Sequence, residues 1–161
     1  MHTEVIPLVV RKTVTVDAPI AHVFQTFTAR QNDWWPREHH IGRSERFTAI
    51  VEPRVGGRWF ERGDDGSECD WGRVLAWDAP NRVVLRWGVT ADWGYDPELD
   101  TEVEVRFVAE SPRRTRVELE HRGLERYGDK AETMRNIFDS DDAWAGTLAR
   151  LRDSAERTGT A

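Results

Sequence analysis

Two neighbouring segments late in the chain constrain the fold more than any others. In "TEVEVRFV" (101–108), Val103, Val105 and Phe107 alternate with Glu102, Glu104 and Arg106. After the turn "AESPRR" (109–114), "TRVELEH" (115–121) sets Thr115, Val117, Leu119 and His121 opposite Arg116, Glu118 and Glu120. A period of two puts each set on one face of a strand. The pair therefore reads as antiparallel strands wet on one side only, and their apolar side needs a cover. The end of the chain supplies one. Trp144, Leu148, Leu151 and Ala155 recur at helical spacing against Arg150, Arg152, Asp153 and Glu156, which predicts a long amphipathic helix from about Asp141. Its acidic start, "DSDD", suits a helix N-terminus.

The remaining segments extend this scheme. "VVRKTVTV" (9–16) is β-branched and alternating, and predicts a first strand. In "DAPIAHVFQTFT", Pro19 suits a first helical turn, and Ile20, Val23, Phe24 and Phe27 form one stripe, with His22 off it. "SERFTAIVEP" (44–53) turns Phe47, Ala49 and Val51 inward. Gly56-Gly57 leads into "RWFER", where Trp59 and Glu61 share one face and Arg58, Phe60 and Arg62 the other. "GDDG" (63–66) and "DAPN" (78–81) are compact turns around the strand "DWGRVLAW", followed by "NRVVLRW". Asp129 and Glu132 have the spacing of a capping box ahead of Met134, Ile137 and Phe138. The result is an α+β chain in which a curved antiparallel sheet of about six to seven strands packs on a long C-terminal helix. Its 161 residues fit one domain, 1–161, with a core over about 9–155.

Charge and composition narrow the partners. A net charge of -6 disfavours nucleic acid and anionic membrane surfaces. No run is long and apolar enough to span a bilayer, the N-terminus lacks a signal-peptide pattern, and the lone Cys69 fits a reducing compartment. The expectation is a cytoplasmic protein. Eight tryptophans, at 34, 35, 59, 71, 77, 87, 93 and 144, fit either a tryptophan-rich core or a cavity walled by flat rings.

Taken in order, "VDAPIAHVFQTFT", "WWP", "GGRWFER", "GRVLAWDAPNRVVLRW", "TEVEVRF" and "TRVELEHRGL", with a tryptophan in the terminal helix, resemble the SRPBCC superfamily. Within it they are most similar to the branch named after the activator of heat-shock protein 90 ATPase. The superfamily also holds START lipid-transfer domains, polyketide cyclases and birch-pollen-allergen-like proteins. The resemblance spans about residues 9–155. It implies a helix-grip fold, with short helices after the first strand and an internal cavity for apolar ligands. It transfers no catalytic residue set, so function has to be argued from the site.

"QNDWWPREHHIG" (31–42) invites a metal reading, but adjacent His39 and His40 point to different sides of an extended chain and lack a well-placed third ligand. The expectation is no metal and no cofactor, with Trp34 and Trp35 as cavity or hydrophobic cover and His40 as an inward polar contact. His121, on the apolar face, is either a satisfied core histidine or a pocket donor or acid/base. Glu61, on the face of Trp59, is either a surface residue or a buried carboxylate serving as ligand anchor or general base. Arg86 and Arg106 read as solvated arginines of the sheet face. Cys69 has no catalytic partner nearby in sequence. The loop "GVTADWGYDPELD" could place Trp93 or Tyr95 at a cavity mouth.

The leading expectation is binding of a hydrophobic or aromatic small molecule between sheet and C-terminal helix. Trp34, Trp35, Trp59, Trp87, Phe107, His121, Trp144 and Leu148 are the expected lining, with His40 and Glu61 as polar contacts. An alternative is a cyclase, dehydratase or hydrolase-like enzyme using Glu61 or His121 as acid/base. A co-chaperone-like interaction domain ranks third, with a chaperone partner disfavoured. A homodimer stays open.

Overall fold

The computed structural model describes residues 8–159; the ends of the expected 1–161 domain lie outside the described residues. Seven strands form one antiparallel sheet: β1 (Val10–Val16), β2 (Phe47–Val51), β3 (Arg58–Gly63), β4 (Glu68–Asp78), β5 (Arg82–Trp87), β6 (Thr101–Ser111) and β7 (Arg114–Arg122). Their spatial order is β1-β7-β6-β5-β4-β3-β2. Three α-helices accompany them: α1 (Ile20–Thr28), α2 (Ala131–Asp139) and α3 (Gly146–Thr158). The α+β helix-grip arrangement anticipated from the sequence is the observed one.

Register explains how the alternation becomes a core. Val14 faces Val117, Leu119 faces Val105, and Val103 faces Leu85, so one apolar row crosses four strands. All six side chains except the partly buried Val14 are closed to solvent. The opposite face is charged, yet not uniformly wet. Glu104 is buried there among Arg82, Arg106 and Arg122. Burial alone would raise its carboxyl, but hydrogen bonds from Arg82 and Arg122 reverse that and bring it down to about 2. Gly72 permits a close approach of β4 and β5, since a Cβ there would sit 1.5 Å from the carbonyl oxygen of Arg86.

The helices close the concave side. Leu148, Leu151 and Ala155 of α3 are buried, as the helical stripe predicted. His22 on α1 joins the two helices, its Nε2 lying 3.1 Å from the Ala155 carbonyl and 3.0 Å from Thr158 Oγ1. Arg150 Nε donates to the Trp34 carbonyl at 3.0 Å and ties α3 to the 31–42 segment.

Several expectations need correction. The long helix does not run unbroken from Asp141: residues Asp141–Ala145 form a wide π-type turn, with Ala143 outside helical geometry, before α3 begins. The capping box is not made, because Lys130 occupies the cap position of α2 and no side chain caps it. The turn "AESPRR" is shorter than read; β6 continues to Ser111 and β7 begins at Arg114. Phe60 shares its face with Arg58 and Arg62, as the alternation had it, and is nonetheless buried because their guanidiniums cover its ring at 3.9 and 5.5 Å. Arg86 is not simply solvated: it donates to the Leu99 carbonyl at 3.0 Å and to the Tyr95 hydroxyl.

Candidate functional site

A cleft of about 460 Å³ opens at the end of the interior where α2 gives way to α3. Its walls come from four places: the 35–41 segment, the inner faces of β4 and β5, the loop after β5, and the α2–α3 junction. Trp35, Trp71, Trp87 and Trp144 form the apolar lining, and Trp93 stands at the rim, 48% exposed. Trp35 lies 5.0 Å from Trp71 in a tilted stack and 6.0 Å from Trp144 edge-on, while Trp87 meets Trp144 at 5.8 Å. Polar side chains also line it: Glu38, His39, His40, Ser140, Asp142 and the buried Thr147. A larger and more open hollow, about 650 Å³, lies outside, between Asp17–Pro19 and Glu110–Arg114, and has no aromatic wall.

The mouth segment is held by its own backbone and by Arg37. Arg37 donates to the carbonyls of Trp35, Phe47 and Asn32 at 3.1, 2.9 and 3.1 Å, and its guanidinium covers the Phe47 ring at 4.4 Å. Trp35 Nε1 donates to the His39 carbonyl at 2.7 Å, which folds the segment back over its indole. Burial holds the His39 imidazole below its ordinary range, Arg150 adding to the effect while Glu38 and Asp142 oppose it.

Glu61 organises the wall from behind. The carboxylate is 2% exposed, and its Oε1 accepts three N–H donors: Ile41 N at 2.6 Å, Gly42 N at 3.0 Å and Trp71 Nε1 at 2.9 Å. One oxygen thus joins the histidine segment to a tryptophan of the cleft, and those charge-assisted bonds stabilise the buried anion. A Cβ at position 42 would come within 2.7 Å of Glu61 Oε2, so Gly42 makes room for this arrangement. Glu61 does not itself reach the cleft lining.

His121 also lies behind the wall, fully buried. Trp144 Nε1 donates to its Nδ1 at 3.1 Å. Nε2 therefore carries the proton and faces Thr101 Oγ1 at 3.0 Å, and that hydroxyl donates onward to the Trp87 carbonyl at 2.8 Å. Burial pushes the imidazole down to about 3. With both nitrogens engaged, His121 has the geometry of a satisfied core histidine that orients Trp144.

Of the ten expected site residues, Trp35, His40, Trp87 and Trp144 line the cleft. The others do not. Trp34 Nε1 donates to the Thr26 carbonyl at 2.7 Å, and Trp59 Nε1 donates to Gln31 Oε1 at 2.7 Å, both inside the closed core. Phe107 packs on Phe24 and Phe27, and Leu148 is buried under α3. Residues not expected in the lining include Trp71, His39, Phe138 and Asp142. Trp71 had a signal, standing in an alternating strand, whereas the junction residues had none. Among the described residues no three His, Cys, Asp or Glu side chains converge in a way that could hold a metal ion.

Residues 17–156 match the family described as activator of Hsp90 ATPase homolog 1-like protein. The chain belongs to that family. No curated protein sequence matches it. Among solved structures it is similar to the anthrahydroquino-γ-pyrone synthase Txn09, solved as a complex, at 41% identity and a TM-score of 0.64, covering 94% of this chain and 99% of that one. It is also similar to CalC, a self-sacrificing resistance protein from Micromonospora echinospora, at 29% identity and a TM-score of 0.65, covering 94% and 96%. The Aha1 dimer from Colwellia psychrerythraea, at 18% identity and a TM-score of 0.61 over 95% and 98%, shares the fold. This member of the Hsp90-activator-like family thus has the polyketide-cyclase-type SRPBCC fold. Among its described residues no helix is long and apolar enough to cross a membrane.

Proposed function

We propose that this protein binds a flat, polycyclic aromatic small molecule in the tryptophan cleft. The observation that carries the reading is the wall itself: Trp35, Trp71, Trp87 and Trp144 converge on one space of about 460 Å³, a size that suits small ligands. The four indoles pack edge-on and tilted on one another, so the wall is stiff as well as apolar, which favours planar rings over a flexible acyl chain. Apolar burial supplies the affinity at about 25 cal/mol per Å², less the ordering costs. Titration of intrinsic tryptophan fluorescence with 1,8-dihydroxyanthraquinone is expected to give saturable quenching, and palmitate much less. Equal responses to both, or none to either, would remove the reading.

A second reading, an enzyme that closes a ring on such a molecule, is favoured by the 41% identity to a γ-pyrone synthase over 94% of the chain. Acid–base chemistry there would fall to groups at the cleft mouth rather than to His121, whose nitrogens are both engaged. Incubation with hydroxyaryl polyketide precursors, followed by mass and ultraviolet spectra of the products, tests it. Absence of any cyclised product leaves binding as the function.

A further inference from the structure

Three histidines lie at or behind the cleft, and of these His40 and His121 differ in the one property that recognition requires, an available ring nitrogen. His121 has none. His40 lines the cleft and is partly buried, its ring stacked on Phe47 at 5.1 Å and 28°. Its Nδ1 lies 2.9 Å from the Gly42 carbonyl oxygen. A carbonyl can only accept, so Nδ1 carries a proton, and in this tautomer the lone pair of the uncharged imidazole falls on Nε2. No protein group bonds Nε2, and it is not sealed from solvent. Behind the ring, Glu61 Oε2 lies 3.8 Å from Nδ1, and Glu61 Oε1 holds the backbone N–H groups of Ile41 and Gly42. The acceptor is therefore fixed in tautomer by Gly42, in tilt by Phe47 and in position by Glu61.

We infer that His40 Nε2 is the specificity-determining acceptor of the cleft, selecting aromatic ligands that carry a free phenolic hydroxyl over the same ring systems without one. This rests on the aromatic-binding reading above and narrows it to hydroxylated polycycles. The bond is O–H···N, with the ligand donating and Nε2 accepting. An acceptor that loses its water when a ligand covers it, and gains no donor in return, penalises the bare hydrocarbon or ketone analogue, which is how polar groups in apolar sites discriminate.

The test uses three probes on the full chain, followed by tryptophan quenching: 2-hydroxyanthraquinone, 2-methoxyanthraquinone and anthraquinone. The hydroxyl form is expected to bind the native protein about tenfold more tightly than the other two. In His40→Phe, which keeps a ring on Phe47 but removes the acceptor, the preference should fall to about twofold or less. The readout is the ratio of the Kd values for the hydroxy and unsubstituted probes, which a general change in affinity at this wall leaves unaltered. His40→Gln, whose amide oxygen can still accept, should retain part of the preference. An unchanged preference in His40→Phe overturns the inference while leaving aromatic binding intact. Should His40→Phe fail to fold, the methoxy comparison decides alone: equal Kd values for hydroxy and methoxy probes overturn it. If no probe quenches the native protein, the cleft reading and this inference fall together.

Discussion

Trp34 and Trp35 are neighbours in sequence and live in different parts of the molecule. Trp34 packs on Phe27 at 5.4 Å, donates to the Thr26 carbonyl and belongs to the closed core under α1 and α3. Trp35 packs on Trp71 and Trp144, donates to the His39 carbonyl and lines the cleft. Both are nearly inaccessible, at 2% and 3% exposure, so burial does not distinguish them. What differs is what surrounds each ring. Around Trp34 there is only core, whereas Trp35, ringed by other aromatics, also borders the cleft. On the proposed reading, one aromatic-rich interior then serves stability at one end and recognition at the other.

The largest effect should come from the closed end. Trp34→Ala removes a filled indole and its hydrogen bond, and is expected to lower stability by about 3–5 kcal/mol, read as a fall in the denaturation midpoint. If the loss were below about 1 kcal/mol, the core would not be closed as described.

Glu61 tests the boundary between the regions. Glu61→Ala strands two backbone donors and the Trp71 indole, with an expected loss of about 2–3 kcal/mol and weaker aromatic binding. Glu61→Gln keeps one acceptor oxygen and should recover part of both. Equal effects of the two substitutions on binding would argue against the anchoring role.

The buried His121 predicts the next effect. Its folded value of about 3 lies below the ordinary 6.5. The unfolded chain therefore binds a proton between those values while the native chain does not, and stability declines as pH falls through that window. By pH 5 the loss is about 2 kcal/mol, one and a half units at about 1.4 kcal/mol each. A pH series of unfolding midpoints checks the slope, which His121→Leu should flatten even though that variant starts less stable.

Smallest in stability terms is Trp93→Ala. The ring is half-exposed at the rim, so the unfolding midpoint should shift by no more than about 0.5 kcal/mol. Quenching titrations should nonetheless show about fivefold weaker aromatic binding, about 1 kcal/mol for one lost ring contact. A large stability loss with unchanged affinity would reverse the assignment of the rim.

The elements were legible wherever periodicity was strong. The alternation of 101–108 and 115–121 and the stripe from Trp144 to Ala155 correspond to β6, β7 and α3. Features that depend on cross-chain partners were not. Phe60 is buried because two arginines fold over it, and Glu61 lies behind the wall because Ile41, Gly42 and Trp71 meet its Oε1. Parity put Glu61 on the face of Trp59, surface or core, and His121 on that of Val117 and Leu119, and all five side chains are buried. It could not say whether their polar atoms would find partners there or face a ligand.

By itself, then, the sequence determined the sheet, the gripping helix, the inward tryptophans and the family. Period and composition decide which face a side chain occupies, and that face is a local property of the backbone. Only the tertiary structure decided which inward residues meet protein and which meet the cleft. That choice depends on the curl of the sheet, the broken turn at Ala143 and hydrogen-bond partners 20 or more residues away. These are contacts that no local pattern encodes.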